Sequence, residues 1–287
     1  MSLVSRTRNQ LQSLIYSLPI GLRRRLLFIY FNRRLPRFVR PRTFNEKVNW
    51  RILHDRRPLL EWTCDKLAMK DYALTVAPAG LNVPRTIWSG LDIGELQAIE
   101  LPEHWVLKPN HRSGLVHFGS GRPDHAQLSS LTSAWLETFE SKSKGEWAYA
   151  KARPMLVLEE LMGVPGSPPA DYKFFVFDGK VIAVQVDVDR HTRHKRRIYR
   201  SDWSPLDVKY GPHGLAAVTP PGANLSLMLA IAEDLGRPFD FIRVDLYDVD
   251  NVIQFGELTP YPSGGLDRFA PVRFDLELGN SWVLPRL

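Results

Sequence analysis

The chain has 287 residues, 44% hydrophobic and 24% charged, enough for one large domain or two lobes around a cleft. A single cysteine, Cys64, excludes an internal disulfide framework and reads as a small buried residue in a reducing, cytoplasmic setting. The net charge of +7 belongs to the first segment: residues 1–42 hold ten arginines with no lysine or acid, and without those ten the 38 basic residues fall to 28 against 31 acids.

Residues 1–42 read as a basic helical arm. Leu11, Leu14, Ile15, Leu18, Leu22, Leu26, Leu27 and Ile29 recur at roughly helical spacing, interrupted by Pro19 and Gly21. The run falls short of the ~20 mostly apolar residues that cross a bilayer, and it has no signal-peptide layout. Two readings stand: a helix lying on an anionic membrane surface, peripheral to its inner face, or helices packed on the body with solvated arginines. Nucleic acid is not expected, because no stacking aromatics interleave with the arginines.

Thr43 followed by Glu46 predicts a capped helix over residues 43–54, and Asp65–Tyr72 predicts another. A short strand is expected near Val83–Trp88, a second at Trp105–Lys108, and a Ser-capped helix over Ser130–Lys144 with Leu131, Trp135, Leu136 and Phe139 on one stripe. Strands then follow at Met155–Glu159, Asp171–Phe177, Lys180–Asp187, Phe241–Tyr247 and Val252–Leu258. Hairpin turns fall at Asp178-Gly179 and Asp248–Asn251, and a helix lies near Leu225–Leu235. The fold class is therefore α+β with antiparallel sheets, split near Glu159: the arm over 1–42, a first lobe over 43–158 and a second over 159–287.

The last ribbon carries the strongest chemical signal. Residues two apart on a strand share a face, so Arg243, Asp245 and Tyr247 project together while Ile242, Val244 and Leu246 turn to the core. The returning strand brings Glu257 and Thr259 beside them. Two such carboxylates repel unless a cation lies between them, and Mg²⁺ accepts a few carboxylate oxygens plus substrate phosphates. Lys108 ends a strand and leads into a loop, His111–Gly121, whose Ser113 and Gly114 suit it to wrap phosphates with backbone N–H groups; the spacing is not that of a P-loop. Glu159 and Glu160 end a strand at the lobe junction; by themselves they read as solvated acids at a strand end, and a hinge there could also offer backbone groups to an adenine edge and a carboxylate to ribose hydroxyls.

In this order, these segments resemble the TupA-like branch of the ATP-grasp superfamily, named for a teichuronopeptide biosynthesis protein. The likeness rests on Thr43–Lys47, Asp65-Lys66, Val106–His111, Glu159-Glu160, Asp171–Phe175, Arg243–Asp245 and Gly256–Thr259, and spans roughly residues 41–285. It implies two α+β lobes enclosing ATP, and an ATP- and Mg²⁺-dependent carboxylate–amine ligase acting through an acyl phosphate. Lys66 and Lys108 would hold phosphates under Ser113 and Gly114. Glu159, Glu160 and Met162 would frame the adenine, with Asp171 and Lys173 beside the ribose. Asp245, Glu257 and Thr259 would ligate Mg²⁺, and Arg243 would stabilise the reacting acyl group. The family setting implies cell-surface polysaccharide biosynthesis, an amino acid being joined to a carboxylated sugar on an anionic polysaccharide or lipid-linked precursor. Two departures stand out: Arg112 where relatives often carry Gly, and Thr259 where many ATP-grasp enzymes carry Asn.

Two alternatives accompany this reading. Asp187-Val188-Asp189 has the D-x-D form of a metal-dependent glycosyltransferase, with Asp187 and Asp189 on one face. A degenerate nucleotide-binding scaffold is the other. The run Arg190–Arg197 is expected to be a charged surface loop suited to an anionic acceptor.

Overall fold

The computed structural model describes residues 17–137, 144–163, 169–188 and 194–287. Helix α1 covers Ile20–Asn32. Helix α2, Phe44–His54, begins at a reciprocal cap: the Thr43 hydroxyl accepts from the Glu46 amide while the Glu46 carboxylate accepts from the Thr43 amide. Helix α3, Lys66–Val76, is capped by Asp65, whose carboxylate also holds the Arg153 guanidinium at 2.8 Å through each oxygen. Burial opposes that charge, but Arg153 outweighs it and lowers the Asp65 carboxyl to about 2.

The smaller sheet is antiparallel in the order β2-β5-β3-β4, formed by Thr86–Gly90 (β2), His104–Pro109 (β3), His117–Ser120 (β4) and Leu156–Glu160 (β5). Helix α4, His125–Thr132, packs Leu128 on its core beside Trp105, Leu107 and Leu158. Two expectations shift here. The first strand starts at Thr86 (a two-residue strand β1, Leu81–Asn82, precedes it), and the helix starts after Asp124, not Ser130. Asp124 follows Pro123 and accepts the Gln127 amide, so it captures the start before Ser130 can. Leu131 is then exposed, while Trp135 enters the core from a turn beyond the helix. Phe139 lies outside the described residues.

The larger sheet runs β1-β13-β12-β6-β7-β8-β11. Its strands are Asp171–Phe177 (β6), Lys180–Val188 (β7), Lys195–Arg200 (β8), Phe241–Val249 (β12) and Val252–Thr259 (β13). Shorter strands are Pro205–Leu206 (β9, on β8), Lys209–Tyr210 (β10), Gly214–Leu215 (β11) and Phe269–Ala270 (β14, paired with β10). Alternation assigns its faces. Phe174, Val176, Val184, Ile242, Val244 and Leu246 pack under helix α5, Leu225–Gly236, and under Met69 and Ala73 of α3. On the opposite face Phe175, Phe177, Ala183 and Phe241 meet Phe44, Val48 and Ile52 of α2, with Phe274 and Leu278 of helix α6, Arg273–Asn280. Helices α2 and α3 thus pack on the larger sheet, although both lie within the stretch 43–158 read as the first lobe.

Beyond the phenylalanines, that second face turns polar: Asp171, Lys173, Gln185, Asp187, Arg196, Arg243 and Asp245 all lie on it and are nearly inaccessible to solvent. The run expected as a charged surface loop therefore contributes to the sheet. Arg196 and Arg197 are buried in β8, where Arg196 grips Asp187 at 2.7 Å and Arg197 donates to the Ala216 carbonyl at 2.6 Å. Strand alternation buries them because each guanidinium finds an acceptor in place of water. Residues 190–193 lie outside the described residues.

Helices α1 and α2 hold one turn of the second face in place. The backbone at Ser263, Gly264 and Gly265 has φ of 49°, 59° and 62°, left-handed values that point successive carbonyls one way. Four side chains meet the carbonyls of this turn and of the two residues after it: Arg24 bonds Gly264, Asn49 bonds Gly265 at 2.9 Å, Asn32 bonds Leu266 at 3.0 Å and Asn45 bonds Asp267 at 2.7 Å. Arg24 is fully buried, so the inner side of the arm is packed structure; burial lowers its guanidinium to about 10, a fall that Glu146 partly offsets.

Candidate functional site

On the smaller sheet, Trp105, Leu107 and Pro109 face the core, so Lys108 emerges on the opposite side with Val106. Cross-strand pairing puts Glu159 there too. Its carboxylate binds Lys108 at 2.5 Å and Lys70, from α3, at 3.0 Å; Lys70 also reaches the Thr86 hydroxyl at 2.6 Å. Burial would raise the Glu159 carboxyl, but the two ammonium groups outweigh it and hold it below the usual carboxylate range. Glu160 points the other way and pairs with exposed Arg85 at 2.9 Å. The two acids expected to act together therefore occupy opposite faces of β5, as strand pleating requires. Met162 follows in the connection toward β6, partly buried.

Lys66, expected at the phosphates, bonds backbone carbonyls here. Its ammonium donates to the carbonyls of Pro109 at 2.9 Å, Asn110 at 3.3 Å and Arg112 at 2.5 Å, so all three N–H groups go to the turn after β3. Asn110, fully buried, accepts from the Leu67 amide and donates to the Arg153 carbonyl, which locks that turn to α3. Ser113 and Gly114 then stand exposed at its tip, with Gly114 at φ 77° and open space around it.

On the larger sheet the register sets Asp245 opposite Glu257 on one side and Lys173 on the other. Arg243 clasps both Asp245 oxygens at 2.7 Å, and its remaining reach goes to Thr259 at 3.1 Å and Glu257 at 3.4 Å. Lys173 bridges Asp245 at 2.5 Å and Asp171 at 2.6 Å. Burial opposes the Asp245 charge, yet Arg243 and Lys173 hold its carboxyl below the usual range. The pairing depends on a bulge. Ile253, Phe255 and Leu258 all face the core, a spacing of two and then three, so Gly256 is the extra residue. A Cβ there would stand 2.7 Å from the Asp245 carbonyl oxygen and 2.8 Å from the Tyr247 ring.

The expected metal set is thus brought together but is not an open clamp. Asp245 is closed off by two cations, and Thr259 accepts from Arg243 while donating to Glu257 at 3.3 Å. Among the described residues, no group of three or more His, Cys, Asp or Glu side chains could hold an ion. Glu257, with 40% of its side chain exposed, is the one of the set's two carboxylates with open access. One or two carboxylates suffice for a Mg²⁺ ion that arrives on a phosphate chain and keeps waters, so the residues fit a substrate-borne ion better than a resident one.

Lys66 is partly buried. Its pKa falls to about 8, first through burial and then through the like charge of Lys108, while Glu257 and Glu159 push back. Helix α3 touches both sheets: its Lys70 pairs with Glu159 of β5, and its Met69 sulfur accepts from the Leu258 amide of β13, next to Glu257, at 3.2 Å. Lys70 escaped the sequence reading, although the spacing Lys66–Lys70, one helical turn, was its signal. The Asn45–Asn49 pair carried the same signal for the Gly-rich turn.

The D-x-D reading loses its first residue. Asp187 is gripped by Arg196 and accepts two bonds from Gln185, at 3.1 and 3.0 Å, and Arg196 overcomes burial to lower its carboxyl to about 2. Asp189 lies outside the described residues. Cys64 is free and buried, as expected.

A family model for TupA-like ATPgrasp proteins matches residues 46–283. Among solved structures, the D-alanine–D-alanine ligase of Bacillus anthracis aligns at 17% identity over 69% of this chain and 57% of its own, with a TM-score of 0.39. The D-alanine–D-alanine ligase of Helicobacter pylori aligns at 14% identity over 78% and 59%, TM-score 0.43. The ATP-grasp ligase PsnB aligns at 15% over 71% and 54%, TM-score 0.39. The chain spans less than two thirds of the length of each. No curated protein matches.

Proposed function

Because this chain belongs to the TupA-like ATP-grasp family, we propose that it binds Mg·ATP between its two sheets and uses it to join a carboxylate to an amine through an acyl phosphate. The observation that carries this reading is the way α3 joins the two sets of side chains: its Lys70 pairs with Glu159, the partner of Lys108, at 3.0 Å, and its Met69 sulfur accepts from the Leu258 amide, next to Glu257, at 3.2 Å. Lys108 offers a cation to a triphosphate, and Glu257 offers a carboxylate for its ion.

In this scheme Lys108 meets the phosphates, its ammonium anchored at the strand end by Glu159, which Lys70 holds in turn. Lys66 shapes the turn that presents Ser113 and Gly114. Glu257 would hold Mg²⁺ carried in by the nucleotide, an ion that neutralises charge on the transferring phosphoryl group. The substrate carboxylate attacks the γ-phosphorus and ADP leaves. The amine then attacks the acyl carbon, phosphate departs, and Arg243 steadies the oxyanion in between. Asp245 and Lys173 fix the plane of that guanidinium. We assign the acceptor as a carboxylated sugar and the amine as an amino acid, in keeping with the cell-surface setting the family resemblance implies.

The test is incubation of the full chain with ATP, Mg²⁺, an amino-acid mixture and uronic-acid acceptors. ADP release coupled to an acceptor mass gain of one amino acid less water is the expected result. ATP turnover that no carboxylate stimulates would overturn the ligase reading, and failure to bind ATP would overturn the site.

The pH profile gives a second test. If the charged Lys66 holds the turn, activity should fall as pH rises through about 8, where its ammonium loses the proton. Unfolding through this group is not the cause. Its folded pKa lies below the 10.5 of an unperturbed lysine, so the unfolded chain binds more protons between these values and stability rises with pH there. Lys66→Arg, which stays charged, should lose the alkaline limb; a limb unchanged in that variant assigns it elsewhere.

A further inference from the structure

The outer side of the arm is built differently from its inner side. Leu22, Leu26 and Ile29 lie along one exposed face of α1, Tyr30 and Phe31 are 61% and 47% exposed, and in the following segment Leu35 and Val39 reach 78% and 80%. A cleft of about 480 Å³ opens between Arg25 of α1 and residues 36–42. Arg25, Arg37, Arg40 and Arg42 line it together with Val39. No acid lies anywhere in residues 17–42. Acids do reach the inner side, where Glu46 and Asp275 pair with Arg34 at 2.7 Å each. Among the described residues, the guanidinium groups of the four cleft arginines have no hydrogen-bond or ion-pair partner.

Four like charges converging on one cleft repel, and the arrangement is favoured when an anion enters. Protruding apolar side chains around a basic cleft favour a surface that is anionic and oily at once. We propose that residues 20–42 form a peripheral membrane-binding face, with the phosphodiester headgroup of an anionic lipid in the arginine cleft and Leu35 and Val39 in the acyl boundary. Among the described residues no helix is long and apolar enough to cross a membrane, so the contact is one of lying on the surface. The inner side of the same helix holds the Gly264 and Leu266 carbonyls, so docking through the outer side leaves that turn intact. Membrane binding of this kind does not depend on the ligase reading.

The test is flotation of the full chain with vesicles of phosphatidylcholine alone and of phosphatidylcholine with phosphatidylglycerol. At low salt, partition into the anionic vesicles should exceed that into neutral ones by about tenfold or more, and high salt should release the protein. Arg37→Gln with Arg40→Gln should lower the partition about tenfold, as should Leu35→Ser with Val39→Ser. ATP turnover in solution should be unchanged in both pairs, all four positions being exposed or at the cleft rim. Equal binding to neutral and anionic vesicles overturns the proposal. So does an apolar pair without effect, because the cleft is then a site for a free anion; full competition by inorganic phosphate against the vesicles would overturn it in the same way.

Discussion

Arg243→Gln is expected to lower the ligation rate at saturating substrate by roughly 10²–10³, the effect of removing a fixed donor from a developing oxyanion. The magnitude follows from how the guanidinium is held. It is buried to 8% exposure, and both Asp245 oxygens lie 2.7 Å from it, so its plane is set before substrate arrives. Glutamine keeps a polar tip but loses the charge and the fork. Arg243→Lys should not restore the rate, since one ammonium cannot face Asp245 squarely and still reach Glu257 and Thr259. Lys173, 2.5 Å from Asp245, remains as its counter-charge in either variant, so the fold should persist. The loss should appear in kcat, with ATP affinity within a few-fold of wild type. A variant that ligates at the wild-type rate would remove Arg243 from the chemistry.

How that arginine is placed was largely legible in the chain. Alternation along Arg243-Val244-Asp245 assigned the face, and the capped start at Thr43 and the turns at Asp178-Gly179 and Asp248–Asn251 were signalled by local residues. These are short-range properties, set by one or two neighbours. What was not legible is which charge meets which. The sequence set Asp245 beside Glu257 and left the space between them to an ion, whereas the structure fills Asp245 with Arg243 from its own strand and Lys173 from the next. Lys173 is 72 residues from Asp245, and nothing in either neighbourhood announces the partnership.

The arm shows the same limit. Its arginines read as one basic block, yet helical geometry divides them. Arg24 goes to the Gly264 carbonyl and Arg34 to Glu46 and Asp275, while Arg25, Arg37, Arg40 and Arg42 collect on the far side. Composition gave the charge of the segment, but only packing separates arginines that build the fold from those left for a partner. The Asn45 and Asn49 pair is a further case. Both sit on α2 one turn apart, and their role, gripping Asp267 and Gly265 carbonyls over 200 residues away, exists only once the helix docks on the larger sheet.

The largest stability effect is expected at Lys173. Its ammonium lies 2.6 Å from Asp171 and 2.5 Å from Asp245, acids that are 0% and 1% exposed on neighbouring strands. Lys173→Met fills similar volume but removes the cation between them, and breaking one partner from a buried ionic set typically costs about 3–5 kcal/mol at neutral pH. The pH dependence identifies the cause. In the wild type Asp245 is held below its unfolded value, so the stabilisation it contributes is present above the ordinary carboxylate range and lost as pH falls through the lower folded value. Without Lys173, two desolvated carboxylates repel and a proton between them becomes favourable, so the variant loses less, or gains, over the same descent. Urea unfolding at neutral and mildly acidic pH should therefore show a wild-type advantage that shrinks on acidification. A difference below about 1 kcal/mol, or one constant with pH, would mean that Asp171 and Asp245 do not depend on this lysine. Arg243 would then be positioned by its bond to Asp245 alone, and the loss of ligation in Lys173→Met should be correspondingly small.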